Sequence, residues 1–278
     1  IRRSNIKLST YENLQLRFNE GEVPVYSELI LGLPGETYES WIRGIEDLLR
    51  SGLKNQLFTY FCQVYPNTEL SSPEHRKKHG IVTRRITLTE IHAAVRDEGE
   101  TPREYEDIVV KTDSMPTSDW RRMALFSWVI MLLHSLKLGY FVMIYLADRH
   151  KVPYTDFLRY VAELRMPFAV GETFRSELAH FDRQLDRLLD GQGRGHVLPR
   201  YGGIYWDEEE ASFLRVSERL DKFYADLRGT AAAFLTERGV TFDPAELDEA
   251  VAYQRLRIPT LETPKDLDHR FRFSFPEF

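Results

Sequence analysis

One carboxylate and two glycines stand where an apolar segment runs into a sharp turn. Glu28 is the one charged residue inside the apolar run at residues 23–31. A charge is costly there unless it is paired or faces a polar cavity, so Glu28 is a candidate catalytic residue, with a salt bridge as the alternative. Gly32 and Gly35 flank a Leu-Pro pair in the turn, and glycines let the main chain approach a ligand closely. A purely structural turn fits these residues equally well.

A strand before this turn and a helix after it would position these residues. Residues 23–31 are short, apolar and bounded by glycines, which predicts a buried parallel strand. Apolar residues then recur at helical spacing between residues 41 and 49, with Thr37 as the N-cap and Glu36 near the positive helix end. Residues 57–65 read as a second apolar strand. This order predicts a β-α-β unit, and such units bind ligands beyond the carboxyl ends of their strands.

The turn and its flanking residues resemble a known family. Residues 28–37 (Glu-Leu-Ile-Leu-Gly-Leu-Pro-Gly-Glu-Thr), a helix, and a strand ending in Tyr-Pro-Asn-Thr at residues 65–68 resemble the fifth strand, fifth helix and sixth strand of the radical S-adenosylmethionine (SAM) partial barrel. Residues 3–6 (Arg-Ser-Asn-Ile) resemble the preceding segment of members that carry an N-terminal cobalamin-binding domain. The match covers roughly 80 of the 278 residues.

The resemblance implies a six-stranded partial (βα)6 barrel in which three cysteines hold a [4Fe-4S] cluster that binds SAM. It also implies cobalamin where the cobalamin-binding domain is present. In such enzymes the fifth strand and the end of the sixth line the adenine of SAM. The positions implied here, together with the turn, are Ile30, Gly32, Gly35, Glu36, Val64 and Tyr65.

The cysteine content departs from the family pattern. Cys62 is the only cysteine, so this chain alone cannot supply the thiolates of an iron-sulfur site. On a strand it is expected to be a small buried side chain rather than a ligand or nucleophile. Because Ile1 is not an initiator residue, we expect a fragment whose cluster ligands lie outside this chain.

Helical patterns dominate the rest of the chain. The predicted fold class is α/β followed by mostly α, with the C-terminal part of the partial barrel in residues 1–112 and a helical C-terminal domain in residues 113–278. Residues 123–147 are apolar enough to be weighed as a membrane span. His134, Lys137 and Gly139 interrupt them, which favours a buried helix pair broken near residues 138–139, with His134 as a hydrogen-bonded core histidine. The expected location is the cytoplasm, and no membrane partner is expected.

Several other groups of residues could carry chemistry, but a structural role explains each of them better. Glu177 and His180 match half of a di-iron site, but no second pair appears, so a surface pair is expected. His75 and His79 lie one helical turn apart without a third metal ligand nearby, and exposed surface positions are expected for them. The acidic run at residues 207–210 suits a helix N-terminus. Alternating aromatic residues at 270–275 are compatible with an edge strand, and a flexible terminus fits them equally well.

The net charge of the chain limits the kinds of partner that can be expected. The 37 basic and 43 acidic residues give a net charge of −6, which argues against general nucleic-acid binding. The expected partners are SAM, an unidentified substrate and the remaining domains of the same protein. The sequence thus predicts part of an enzyme that cleaves SAM reductively for a radical oxidoreductase or transferase reaction. The alternative is a non-catalytic helical interaction protein with a structural β-α-β element.

Overall fold

A computed structural model describes residues 7–95, 102–258 and 268–275. Residues 3–6, which carried part of the resemblance, lie outside these ranges. The first elements are α1 (Leu8–Glu20), β1 (Ser27–Leu31), α2 (Tyr38–Arg50) and β2 (Leu57–Phe61). The strands β1 and β2 are parallel, with Ser27 opposite Leu57 and Leu31 opposite Phe61. The β-α-β unit that the sequence predicts is therefore present.

Local sequence explains where α2 begins and how it packs. The Thr37 side chain accepts a hydrogen bond from the Ser40 main chain, and the Ser40 side chain accepts one from the Thr37 main chain. This reciprocal capping satisfies amide groups that would otherwise be unpaired at the helix start. Trp41 and Ile45, four residues apart on one face of α2, are buried in the core. Their burial anchors the helix that follows the glycine turn.

A β-hairpin closes over the end of β2. After α3 (Pro73–His79), strands β3 (Val82–Thr87) and β4 (Tyr105–Lys111) pair antiparallel. The β4 strand also pairs with the chain just beyond β2: the Val64 N–H donates to the Asp107 carbonyl at 2.8 Å, and the Val109 N–H donates to the Cys62 carbonyl at 2.8 Å. This hairpin covers the carboxyl end of β2, where the sequence analysis places candidate ligand contacts.

The rest of the described chain is mostly helical. Its elements are α4 (Thr117–Ile130), a π-helical turn (Met131–Ser135), α5 (Tyr140–His150), α6 (Tyr154–Ala162), α7 (Glu172–Leu189), β5 (His196–Val197), β6 (Tyr205–Trp206), α8 (Glu208–Ser217), α9 (Leu220–Glu237) and α10 (Pro244–Leu256). Buried side chains from the β-α-β unit and from these helices form one contiguous apolar cluster. The helical part therefore packs directly on the strands.

The apolar segment at residues 123–147 is a bent helix pair. The pair breaks at residues 136–139, near the predicted position, and its two arms meet at 92°. Met123 and Val142, one on each arm, are buried in the core. Within the described residues no single helix has the length and apolar character needed to cross a bilayer, although the bent pair passes that test when its arms are taken together.

The edge strand that the sequence allowed at residues 270–275 does not form in the described residues. No strand occurs between residues 268 and 275. Phe275 instead stacks on Tyr253 of α10, with ring centroids 5.4 Å apart, and Arg272 forms an ion pair with Glu249 at 2.6 Å. The aromatic residues of this segment are held by side-chain packing on a helix rather than by a strand ladder.

His134 is a hydrogen-bonded core histidine, as the sequence predicts. It is 1% exposed; its Nε2 donates to the Asn55 carbonyl at 2.9 Å, and its Nδ1 lies 2.9 Å from the Tyr154 hydroxyl. A carbonyl only accepts hydrogen bonds, so Nε2 carries the proton and Nδ1 accepts from Tyr154. Burial, reinforced by the nearby Lys137 ammonium, lowers the pKa of His134 to about 3.

The low pKa of His134 predicts a pH-dependent stability. Because its folded pKa lies below the ordinary value of about 6.5, the unfolded state binds more protons as pH falls. We expect His134 to reduce the free energy of unfolding by about 1 kcal/mol between about pH 7 and about pH 5.5. Urea unfolding at both pH values, compared with His134→Gln, isolates this contribution from the other titrating groups. Equal pH dependence in both proteins would contradict it.

Candidate functional site

One face of the β1–β2 sheet is open. Glu28 and Ile30 on β1 stand opposite Phe58 and Tyr60 on β2, and these four residues define the open face. Ile30 is 43% exposed and Tyr60 is 40% exposed, whereas the alternate residue Leu31 is fully buried. The prediction of a buried strand at residues 23–31 is therefore wrong for this face, and the strand itself begins only at Ser27. Among the described residues the helices pack mainly on the other side of the sheet, and only the first turn of α8 approaches this face, beside Phe58 and Tyr60. Part of an apolar and aromatic surface is thus left available for contact.

Aromatic rings line the open face. Tyr26 meets Phe58 edge to face at 5.9 Å between ring centroids, and Phe58 stacks with Tyr60 at 6.4 Å. Burial raises the pKa of Tyr60, and the neighbouring Glu28 carboxylate raises it further, so the phenol keeps its proton. A row of aromatic rings beside a carboxylate can hold a planar, partly polar ligand.

Glu28 stands on the open face, and its carboxylate has no structural partner in the part of the chain that the structure describes. Its side chain forms no hydrogen bond or salt bridge with the residues that the structure describes. The salt bridge that was the alternative interpretation of Glu28 is thus not found among those residues. A carboxylate in this position is free to accept a hydrogen bond from a ligand.

The glycine turn has the backbone geometry that requires glycine. Gly32 and Gly35 have φ values of +109° and +92°, which residues with side chains rarely adopt. A Cβ atom on Gly32 would lie 3.3 Å from the Val109 Cβ and 3.4 Å from the Cys62 Cβ, whereas one on Gly35 would meet nothing within 4 Å. The Gly35 N–H donates to the Ser114 hydroxyl at 3.0 Å. The turn therefore packs against the β4 strand and the loop that follows it.

The remaining cofactor-binding candidates fall into two environments. Val64 is buried beneath β4, while Tyr65 is 60% exposed and its hydroxyl donates to the Gln63 side chain. Glu36 accepts a hydrogen bond from the Ser40 hydroxyl at the start of α2, as expected for a residue that supports a helix N-terminus. Ile30 and Tyr65 thus present accessible side chains, while β4 covers Gly32 and Val64.

Cys62 lies in an environment that disfavours metal binding. It is buried next to Gly32, and burial raises the pKa of its thiol to about 11. A thiol with that pKa stays protonated near neutral pH, whereas metal ligation requires the thiolate. No group of three or more His, Cys, Asp or Glu residues with metal-binding geometry occurs within the described ranges.

The prediction that Glu177 forms a surface pair with His180 is wrong. Glu177 is 2% exposed and receives hydrogen bonds from Ser212 at 2.7 Å, Arg215 at 2.7 Å and Arg219 at 3.0 Å. His180 instead contacts Arg183 at 2.9 Å. The Glu177 carboxylate balances the positive charges of Arg215 on α8 and of Arg219 at the start of α9. It therefore links α7 to both helices.

The prediction of exposed histidines on α3 is also wrong. The His75 side chain is largely buried, and its ring centroid lies 4.5 Å from that of His79. The His75 Nδ1 lies 3.7 Å from a Glu69 carboxylate oxygen. The helix packs these rings together instead of presenting both to solvent.

A cavity of about 140 Å³ lies next to the open face and was not anticipated from the sequence. Its walls include Phe58 and Tyr60 of β2 and the first turn of α8. The acidic run at residues 207–210 has the composition of an ordinary helix N-terminus, so nothing in its pattern indicates that it meets β2. Only the tertiary packing brings these two elements together.

Comparison with known proteins relates the chain to the radical SAM superfamily of the cobalamin-dependent type, which confirms the resemblance seen in the sequence. The cobalamin-dependent radical SAM methyltransferase TokK of Streptomyces tokunonensis is 28% identical over 272 residues, covering 92% of this chain and 38% of that protein. The 2-(S-pantetheinyl)-carbapenam-3-carboxylate methyltransferase of Streptantibioticus cattleyicolor is 28% identical over 269 residues, with the same coverages. The chain thus spans 38% of the length of these relatives. No model of a protein family matches it.

Proposed function

We propose that this chain is the C-terminal part of a cobalamin-dependent radical SAM methyltransferase whose methyl acceptor is not assigned. One observation carries the proposal: similarity to a cobalamin-dependent radical SAM methyltransferase, and to a second methyltransferase, extends over 92% of the chain. The similarity therefore includes the helical residues as well as the β-α-β unit. Similarity of this extent to enzymes favours an enzyme fragment over a non-catalytic helical interaction protein.

The proposed architecture places residues 1–112 at the end of a partial (βα)6 barrel and residues 113–278 in a helical C-terminal domain. Two features support this arrangement. In the described part of the chain β1 pairs with β2 alone, so its second edge is available to another strand. The open face carries exposed apolar and aromatic side chains, as expected of a surface that further strands would turn toward a barrel interior.

SAM fits the open face better than it fits the covered end of β2. Ile30 and Tyr60 offer accessible apolar surface of the kind that holds an adenine ring, and Glu28 offers a hydrogen-bond acceptor. When bound and reduced by one electron, SAM would supply a 5′-deoxyadenosyl radical through cleavage of a carbon–sulfur bond. The roles proposed for this chain are to contact the adenine, to exclude water from that face and to orient polar groups through Glu28.

A [4Fe-4S] cluster does not fit the residues of this chain. The single thiol is buried, and burial holds its pKa near 11. We therefore infer that the cluster ligands lie in a part of the whole protein outside this sequence. None of the described residues is assigned to cobalamin.

Anaerobic reconstitution tests the proposal. The full-length protein treated with iron and sulfide is expected to hold about four irons and to show a cluster spectrum that SAM perturbs. Residues 1–278 under the same conditions should hold no stoichiometric iron, because one buried thiol cannot replace the usual three or four thiolates. A cluster on the 278-residue chain, or a full-length protein without a SAM-responsive cluster, would contradict the proposal.

A further inference from the structure

The cavity beside the open face has aromatic walls on one side and acidic residues on the other. Phe58, Tyr60 and Trp128 contribute rings, and the first turn of α8, including Glu209, contributes carboxylates. We call this space the acidic cavity. Its volume of about 140 Å³ is well above what a single water molecule needs, so it has room for a small organic group.

Glu209 is a buried carboxyl without a counterion among the described residues. It is 8% exposed, and its Oε2 atom has no hydrogen-bond partner among the described residues. No described arginine, lysine or histidine forms a salt bridge with it. Burial raises the pKa of Glu209 well above its usual value, and the neighbouring Asp207 and Glu210 carboxylates raise it further. Native proteins rarely leave such a group unpaired, because burying it without a partner is unfavourable.

Two acidic neighbours of Glu209 on α8 do have partners. Glu208 contacts His196, and Glu210 pairs with His92 at 2.7 Å. The positive end of the helix dipole favours carboxylates in this turn, but it does not explain why one of them is buried with an unpaired oxygen. Glu209 is therefore the member of this turn that lacks a matching positive group among the described residues.

We propose that the acidic cavity binds a small organic cation, an alkylammonium or methylated ammonium group of a ligand, with Glu209 as its counter-charge. The rings of Tyr60 and Trp128 would face the cation, since aromatic faces attract ammonium groups. A metal ion fits less well, because the described residues contain no cluster of three ligands with metal-binding geometry. The inference needs neither the cluster nor SAM, so it stands or falls independently of the proposed function.

The electrostatics of the surrounding residues agree with a cationic ligand. Arg194 also lines the cavity, where its charge partly offsets the rise in the pKa of Tyr60 that burial causes, and it forms no salt bridge with Glu209. Asp207 adds a further carboxylate to the same wall. The carboxylates near Glu209 thus outnumber the cations, and an ammonium group would restore the balance.

Binding of a matched pair of probes to the full-length protein tests the inference. Isothermal titration calorimetry with tert-butylammonium, which has five non-hydrogen atoms, is expected to show saturable binding. The neutral isostere tert-butanol should bind at least tenfold more weakly. Because Glu209 must ionise to pair with the cation, binding near neutral pH should release protons, seen as a heat that varies with the ionisation enthalpy of the buffer.

Two variants locate the effect. Glu209→Gln should weaken tert-butylammonium binding at least tenfold and abolish the proton release, while keeping the fold because the amide is nearly isosteric. Glu218→Gln, at the far end of α8 beside Arg200 and Tyr201, is the matched control and should bind like the unaltered protein. No saturable binding to the unaltered protein, equal binding of tert-butanol, or unchanged binding in Glu209→Gln would each overturn the inference.

Discussion

Replacing Glu177 by alanine is expected to lower the free energy of unfolding by about 3 to 5 kcal/mol. The Glu177 carboxylate is 2% exposed and lies within 3.0 Å of nitrogen atoms of both Arg215 and Arg219. Its removal would leave two guanidinium groups and the Ser212 hydroxyl without their buried partner. Breaking a buried ion pair costs this much because the remaining charge stays desolvated and uncompensated.

A surface pair on the same helix is the control for Glu177. Glu172 pairs with Lys222 at 2.7 Å, and its side chain is 70% exposed. Exposed ion pairs contribute little to stability, so Glu172→Ala should lower the free energy of unfolding by less than about 1 kcal/mol. Chemical denaturation of both variants measures the difference. Similar losses in the two variants would show that Glu177 does not hold α7, α8 and α9 together.

Replacing Gly32 by valine is expected to destabilise the fold by about 3 to 5 kcal/mol, from backbone strain and overpacking together. The φ of +109° is unfavourable for a side chain, and the new Cβ would lie 3.3 Å from Val109 and 3.4 Å from Cys62. Gly35→Val is the matched control: its φ is +92°, but the added Cβ enters open space. Only the strain of about 1 to 2 kcal/mol applies there.

Thermal melting and SAM affinity of the full-length protein, measured on both glycine variants, separate structure from binding. A lowered melting temperature in Gly32→Val with normal SAM affinity would make this a structural turn. A loss of affinity in the fraction that remains folded would support a ligand role for the turn. An unchanged melting temperature would contradict the packing of Gly32 against Val109 and Cys62.

Local patterns were sufficient to predict the β-α-β unit. The apolar runs, the glycine turn and the Thr37 cap act between residues that are neighbours in sequence, so their outcome can be predicted without tertiary contacts. The break in residues 123–147 was predictable for the same reason, because Lys137 and Gly139 interrupt an apolar helix. The hydrogen-bonded state of His134 followed from its position inside that apolar segment.

Contacts between distant residues determined what the sequence could not predict. The Val64 main chain bonds to Asp107, and this pairing is what buries the end of β2 under β4. Glu177 resembled a surface residue by its spacing to His180, but its partners lie 38 and 42 residues further along the chain. The acidic cavity forms where α8 lies next to β2, and the local sequence of neither element predicts this contact. Amphipathic spacing shows which face is buried but not which residue it meets.

Formation of 5′-deoxyadenosine is the most direct test of the central claim that this chain belongs to a radical SAM enzyme. The full-length protein, reconstituted without oxygen and given SAM, cobalamin and a one-electron reductant, is expected to release 5′-deoxyadenosine. Omitting either SAM or the reductant should abolish the product. A reconstituted protein that binds its full complement of iron and yields no 5′-deoxyadenosine above the background without protein would contradict the claim.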